Sequence, residues 1–424
     1  MQPPPAPGRR LAPDLARGFM LLFIALANVS WYLYGHPPGP IGPHPAPAGV
    51  VDSVIQVLML TIVDGRAFPM FAFLFAYGMV QFYTSRRARG VPDAAVRAML
   101  NRRHLTMLVI GFLHALLLFV GDVVGAYALA GLLVGALFFF RRTAILKTWT
   151  IAMGALMVLV GLLVAVLGVW LQTSGTGTVG TDTSTSDLVD LTAGEGDYLM
   201  AALWRVSTWA GNALVAGLVI PIPLLLFVGW MAGRVQLLEN VARHRVRLVR
   251  VATVTIPVGW VLGLVTGLQQ VGVLTLEHAP WMLVVLNSVA GMGTGIGYAC
   301  VFALLGARHE QRPPRAVLAV AAVGQRSLSS YLWQSLLLAP LLSAWGFALG
   351  DDIGTWQAMA LAAGVWASSV VLCDLLARRG RRGPVEVVLR SITYGRGARP
   401  TRPGPPPAPQ LHPVFRPPPG PGSA

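Results

Sequence analysis

Apolar runs alternate with clusters of arginine along almost the whole chain, and this alternation limits the possible folds more than any other feature. Arginine stands at 86, 87, 89, 97, 102 and 103, at 141 and 142, between 243 and 250, between 308 and 315, and between 378 and 382. The stretches between these clusters are long enough to cross a bilayer, singly or in pairs. A helix needs about 20 apolar residues to cross a hydrocarbon layer of ~30 Å. Lipid offers no partner to backbone N–H and C=O groups, so a spanning segment has to satisfy them within itself as a helix. The alternation therefore predicts an all-α, polytopic membrane helix bundle.

Composition agrees. Hydrophobic residues make up 55% of the chain and charged residues 12%, and the mean hydropathy is +0.64. Soluble domains carry about a quarter charged residues, so water alone does not solvate this surface. A formal net charge of +15 would suit a nucleic-acid binder. The arginines, however, sit in short connectors between apolar spans, which is the positive-inside pattern of a membrane protein, and no nucleic-acid partner is expected. The basic C-terminal tail can rest on anionic lipid heads. Cys300 and Cys373 both fall in apolar spans and read as small buried hydrophobes.

About ten transmembrane helices are expected, near 15–34, 66–84, 104–120, 122–140, 144–171, 209–231, 249–272, 281–305, 324–348 and 356–377. The segment 50–63 is apolar but short; it either lies along the outer surface or extends the second span. With both termini cytoplasmic, all but three of the 32 basic residues fall on the cytoplasmic side or at inner helix ends, and those three are Arg66, Arg205 and Arg326. The membrane domain then covers 15–396, between a Pro-rich cytoplasmic N-terminus at 1–14, which does not read as a cleavable signal peptide, and a disordered Pro/Gly-rich cytoplasmic tail at 397–424. Residues 172–197, rich in Gly, Thr and Ser, read as a flexible external loop. Gly291, Gly293, Gly295 and Gly297 superficially resemble a dinucleotide fingerprint, but no strand precedes them; close helix–helix packing is the expected role.

Polar groups at membrane depth are default site candidates because each costs several kcal/mol. Arg10, Asp14 and Arg17 open the first span; Asp14 and Arg17 can pair on one helix face. They read either as an interfacial charge pair or as a basic mouth for a phosphate-bearing ligand. Gln325 and Arg326, with Ser329, Ser330 and Gln334, form a polar stripe in the ninth span, facing either a tunnel or neighbouring helices. His114 and Tyr127 flank a turn at 120–121, each six residues from its near edge and so roughly 9 Å deep at about 1.5 Å per residue. Asn28 is about as deep on the first span, and Asp122 stands at the turn. These four line an outer cavity or form a helix-packing cluster. His36 and His44 lie in the loop after the first span and are expected to be solvated, with His36 close enough to the helix end to serve as a base. Arg66 reads as an interface anchor able to orient an anion from outside. No hydrolase elbow, zinc motif, Walker loop or metal-spaced Cys/His set occurs, so no metal is expected.

Several of these segments resemble one family. The opening RLAPDLARGFMLLFIALANV resembles the R-x-x-x-D-x-x-RG start of the domain-of-unknown-function 418 (YeiB-type) bacterial membrane proteins, with Pro13 before Asp14 where leucine is usual. GRAFPMFAFLFAYG resembles that family's Phe-rich second span, with Ala76 in place of a glycine. RRHLTMLVIGFLHALLLFVGDVVGAYALAGLL resembles its third and fourth spans and includes His114, Asp122 and Tyr127. GQRSLSSYLWQS and GPVEVVLRSITYG resemble its two C-terminal signatures, so the likeness is strongest over 324–395 at that end, while about 143–310 agrees in hydropathy alone. The resemblance implies a multi-pass protein of the bacterial cytoplasmic membrane with no assigned activity. The opening is also distantly similar to transmembrane acyltransferases, which carry an acyl group from cytosolic acyl-CoA to a sugar across the membrane; His36 is the nearest counterpart of their early histidine.

That similarity implies acyl-CoA as donor, met inside by Arg10, Arg17 and Arg326, and an extracytoplasmic glycan or lipid as acceptor, met outside by His36 or His114. Two other readings stand beside it. A transporter or flippase would use a polar midsection and interrupted helices for passage. A membrane scaffold or sensor would use the intramembrane polar groups for packing alone.

Overall fold

Each apolar run becomes a helix because a helix is what satisfies its backbone without water. The computed structural model describes residues 11–175, 184–218 and 221–394. Among these the secondary structure is helical, apart from an isolated antiparallel bridge between Pro38 and Pro45. In chain order the helices are α1 (Leu11–Val29), followed by a 3-10 turn (Ser30–Tyr32), α2 (Val50–Ile62), α3 (Ala67–Arg87), α4 (Asp93–Leu117), α5 (Val124–Phe138), α6 (Thr143–Ser174), α7 (Ser184–Thr192) and α8 (Tyr198–Leu218). They continue as α9 (Pro221–Arg234), α10 (Val241–Gln270), α11 (Trp281–Arg308), α12 (Arg315–Gln325), α13 (Ser327–Leu342), α14 (Leu349–Asp352), α15 (Thr355–Arg378) and α16 (Pro384–Tyr394).

Among the described residues, six helical stretches are long and apolar enough to cross a membrane: Leu11–Tyr32, Val50–Arg87, Thr143–Ser174, Val241–Gln270, Trp281–Arg308 and Thr355–Arg378. Helix α6 shows what surrounds them. Ile151, Val158, Leu162, Val166 and Trp170 are each more than half exposed, and only Leu146, Gly161 and Gly168 of its 32 residues are buried. A helix apolar on every side with so little buried surface is solvated by lipid.

Several expected boundaries move. Segment 50–63 extends the second span: α2 packs against α10, and a break at 63–66 joins it to α3. The span expected at 209–231 starts earlier, at Tyr198, and is divided between α8 and α9. The expected 324–348 span is the pair α12 and α13, broken at Arg326, whose φ of −120° and ψ of 36° leave the helical region. The external loop 172–197 is not wholly irregular, since α7 occupies Ser184–Thr192. Arg10 and the tail 397–424 lie outside the described residues.

Helix α1 stands at the centre, packed against α3, α11, α12, α13 and α15. Helix α12 crosses it at close range. A Cβ on Gly18 would lie 2.2 Å from the Val320 carbonyl oxygen, and one on Gly324 would lie 1.9 Å from the Asp14 carbonyl oxygen. The glycines of α11 act in the same way. A Cβ on Gly291 or Gly295 would meet the backbone of Gly65 or Arg66 at 2.3 and 2.7 Å, while Gly293 and Gly297 face Thr255 of α10. The small residues therefore serve helix packing, as expected.

The three basic residues that broke the charge pattern share one role. Arg66, Arg205 and Arg326 are 0%, 1% and 6% exposed, and each guanidinium donates to at least one backbone carbonyl at a helix end or break. Arg66 reaches the carbonyls of Asp64 and Gly259. Arg205 reaches those of Ala115 and Leu116 at 3.2 and 3.0 Å, at the end of α4. Arg326 reaches those of Ala322 and Arg381. Terminal carbonyls have no partner within their own helix, and in lipid a fork of N–H donors supplies one.

Candidate functional site

Where α1, α3, α4, α13 and α16 converge at the arginine-bearing end, they enclose a cavity of about 440 Å³. Its mouth is basic: Arg17, Arg103, Arg326, Arg382 and Arg390 line it with Gln81, Gln325 and Tyr394. Its deeper wall is apolar, built from Met20, Phe71, Leu74, Phe75, Met107 and Val124, and Tyr331 lies among them. A solute that fits is amphipathic, with an anionic head and an apolar arm.

The mouth is held by a chain of ion pairs and hydrogen bonds. Asp14 pairs with Arg17 at 3.5 Å, Arg17 donates to Gln81 at 3.4 Å, and Gln81 donates to Glu239 at 2.6 Å. On the far wall the Glu386 carboxylate accepts from the Leu328 and Ser329 amides at 2.9 and 3.0 Å and from the Ser329 hydroxyl. Those amides open α13, so Glu386 docks α16 onto a positive helix end. Arg86 donates to the Tyr394 hydroxyl at 2.6 Å.

Behind the apolar wall lies a buried dyad. His114 Nδ1 is 2.9 Å from Asp122 Oδ1, with neither side chain exposed. Asp122 also accepts from the amides of Val124 and Gly125 at 3.3 and 2.7 Å and from the Trp209 indole at 3.1 Å. It therefore caps α5 and fixes the imidazole at once. The other imidazole nitrogen, Nε2, is buried without a hydrogen-bond partner. The Tyr331 ring lies 4.9 Å from the imidazole, between centroids, and its hydroxyl accepts from the Val123 amide at 3.4 Å. The cavity stops at Tyr331; its lining does not include His114.

The remaining expected residues divide. Arg17, Gln325 and Arg326 meet at the cavity, with Asp14 one contact behind. His114 and Asp122 meet each other. Tyr127 does not join them by a hydrogen bond: its hydroxyl donates to the Phe68 carbonyl at 3.0 Å, and its ring stacks among Phe68, Phe71 and Phe75. His114 lies in the last turn of α4, three residues from Leu117, so it is about 4.5 Å from the helix end rather than the expected 9 Å. Asn28 is half-buried on α1 and lines neither the 440 Å³ cavity nor the 20 Å³ space near His36. Arg66 holds the 63–66 break.

The two loop histidines lie at the opposite end. His36 Nε2 is 3.1 Å from the Gly350 carbonyl. His44, expected to be solvated, is buried, because its ring bridges Ser30 at 3.3 Å and Asp64 at 2.9 Å and ties the loop to the α2–α3 break. Both line a space of only about 20 Å³ beside Asp190. The neighbouring Tyr34 phenol is held above its ordinary range by burial first and then by the Asp351 and Asp352 carboxylates.

Sequence reasoning missed Arg103, Tyr331, Arg382, Arg390 and Tyr394. Arg103 looked like one of many connector charges. Arg390 and Tyr394 sit in a short amphipathic segment whose docking site is visible only in three dimensions.

A multipass helical membrane protein with an arginine-mouthed cavity and a buried His–Asp pair is what fold and site define. The family model described as "Protein of unknown function (DUF418)" matches residues 232–396. The chain is 27% identical over 405 residues to the uncharacterized protein YeiB of Escherichia coli, covering 91% of this chain and 96% of that one. It is 24% identical over 398 residues to an uncharacterized 39.9 kDa protein of Bacillus acidopullulyticus, covering 90% and 93%. It is 23% identical over 362 residues to the uncharacterized protein YxaH of Bacillus subtilis, covering 81% and 83%. The resemblance to the domain-of-unknown-function 418 (YeiB-type) proteins read from the motifs is thus borne out, and the similarity to these relatives also runs through the middle region, where the motifs were silent. No solved structure matches the chain.

Proposed function

We propose that this protein is a transferase of the bacterial cytoplasmic membrane, with about ten spans and both termini cytoplasmic, that moves an acyl group from cytosolic acyl-CoA to an extracytoplasmic hydroxyl of a glycan or lipid. One observation carries this reading: a basic, amphipathic cavity at the arginine-bearing end, one of whose lining residues, Tyr331, has its ring 4.9 Å from the imidazole of a buried His–Asp pair. The arginines suit the donor's phosphates, and the apolar wall suits its arm.

The chemistry assigned to the residues is general base catalysis. Asp122 fixes His114 through Nδ1–H, which leaves Nε2 as the proton acceptor. The acceptor hydroxyl loses its proton to Nε2 as its oxygen attacks the thioester carbonyl carbon. The new C–O bond forms, the C–S bond breaks, and the departing sulfur takes up the proton from the imidazolium. Tyr331 has to turn aside for the two compartments to meet. Bringing both reactants to one dry point supplies the orientation term.

The test is turnover of labelled acetyl-CoA by purified protein in lipid nanodiscs with candidate hydroxyl acceptors. Labelled acceptor is expected, with His114→Ala slowing its formation roughly 10²–10⁴-fold, the usual worth of a general base. An unchanged rate would remove His114 from the mechanism. The breaks at 63–66 and Arg326 favour a second reading, a transporter, since interrupted helices often line solute paths. Uptake of a solute into vesicles without acyl-CoA cleavage would establish it.

A further inference from the structure

The cavity's cations come from two separate parts of the chain. Arg17, Arg103 and Arg326 belong to the helix bundle. Arg382 and Arg390 belong to the C-terminal segment, on either side of Gly383 and the start of α16. The lining side chains hold five arginines and one glutamate, and Asp14, paired with Arg17, adds a carboxylate just behind them. That glutamate, Glu386, directs its carboxylate at the amides that open α13.

The C-terminal segment packs through one face. Besides Glu386, polar links join the Tyr394 hydroxyl to Arg86 and the Arg381 carbonyl to Arg326. Leu389 and Thr393 are buried, whereas Val387, Val388 and Ile392 on the other face are about half exposed. The approach to α16 contains Gly380, at φ +64°, and Gly383, where a Cβ would lie 2.5 Å from the Ser329 hydroxyl oxygen. Like charges on two bodies facing across one partly desolvated space repel, and an anion between them converts the repulsion into attraction.

We propose that the donor's head is clamped between Arg17, Arg103 and Arg326 on the bundle and Arg382 and Arg390 on the C-terminal segment, so that a soluble ligand with two or more phosphates orders α16 when it binds. The inference rests on the reading of this cavity as the donor site. A phosphate monoester carries about −1.5 to −2 charges at neutral pH, so a ligand with two or more phosphates can engage both arginine groups at once where a single phosphate engages one. Gln325, Arg382 and Arg390 are exposed at the mouth, while Met20, Leu74, Met107, Val124 and Tyr331 of the inner wall are buried. Exposed arginines at the mouth above an apolar wall suit a soluble polyphosphorylated thioester or thiol better than a lipid phosphate lying in the bilayer plane.

Amide hydrogen exchange of the full-length protein in phosphatidylcholine nanodiscs provides the test, with coenzyme A as the probe and binding followed in parallel. Saturating coenzyme A should slow exchange across α16 at least 10-fold. Inorganic phosphate at equal concentration should change it little. The Arg382→Gln/Arg390→Gln double variant should bind coenzyme A at least 10-fold more weakly and lose the protection, while α1 and α11 exchange as in the wild type, which shows that the bundle remains folded. Coenzyme A binding with α16 exchange unchanged would overturn the clamp and leave the donor site standing. Protection by phosphatidylglycerol nanodiscs alone, without coenzyme A, would also overturn it, in favour of a lipid headgroup. Protection without any acyl transfer would uphold the clamp and reject the transferase reading.

Discussion

At the residue scale, Asp122 has two duties that a single substitution can separate. It caps α5 through the amides of Val124 and Gly125, and it holds His114. Asp122→Asn keeps an acceptor oxygen for the cap but removes the charge that favours the imidazolium. Transfer should fall by about 10²-fold or more, while stability changes by less than the roughly 0.5–2 kcal/mol that loss of a cap costs. Asp122→Ala should lose both, which thermal unfolding alongside rate measurement would separate. His36, tied to the Gly350 carbonyl at the other end of the bundle, should tolerate alanine with a transfer rate within a few-fold of wild type. A large loss would move the base to that end. Arg205→Met should lower stability by about 1–3 kcal/mol, because the Ala115 and Leu116 carbonyls lose their donor in a dry setting; an unchanged midpoint in thermal unfolding would show that other donors replace it.

At the element scale, the close crossing of α1 and α12 sets the spacing of the cavity. Gly18→Ala and Gly324→Ala each place a methyl within 2.2 Å of backbone oxygen. Backbone cannot yield as a flexible side chain does, so each should destabilise by about 1–3 kcal/mol or more and displace Arg17 or Gln325. Around Gly154 on α6, nothing lies within 4 Å of the place a methyl would take, so Gly154→Ala should be neutral or stabilising. Equal effects on the thermal midpoint at all three positions would contradict this difference in packing. Much of the element pattern was legible in the chain, because lipid demands continuous apolar helices and arginine marks their ends. The breaks were less legible. Arg66 and Arg326 were visible as charges inside apolar runs, yet that they cap carbonyls beside an interrupted helix depends on the partner carbonyls of Gly259 and Arg381, which lie far away in sequence. The packing of α11 glycines was readable from their spacing, but the partner they meet was not.

At the scale of the whole molecule, the two ends differ in kind. One carries the arginine mouth and its cavity; the other carries Asp190, Asp351 and Asp352 around a tightly bonded loop that ties back to Ser30 and Gln270. The dyad was half legible, since His114 and Asp122 stand on either side of a short turn. The cavity was not, because it exists only once α16 returns to helices placed some 300 residues earlier, as in the Arg86–Tyr394 contact. Transfer across the membrane requires donor and acceptor to approach from opposite ends, and sealed vesicles of defined orientation measure that directly. With the arginine-bearing end outward, labelled acetyl-CoA outside and a hydroxyl acceptor trapped inside, label should accumulate on the trapped acceptor, and His114→Ala should abolish it. Equal labelling with acetyl-CoA confined to the other side, or none from either side, would contradict it.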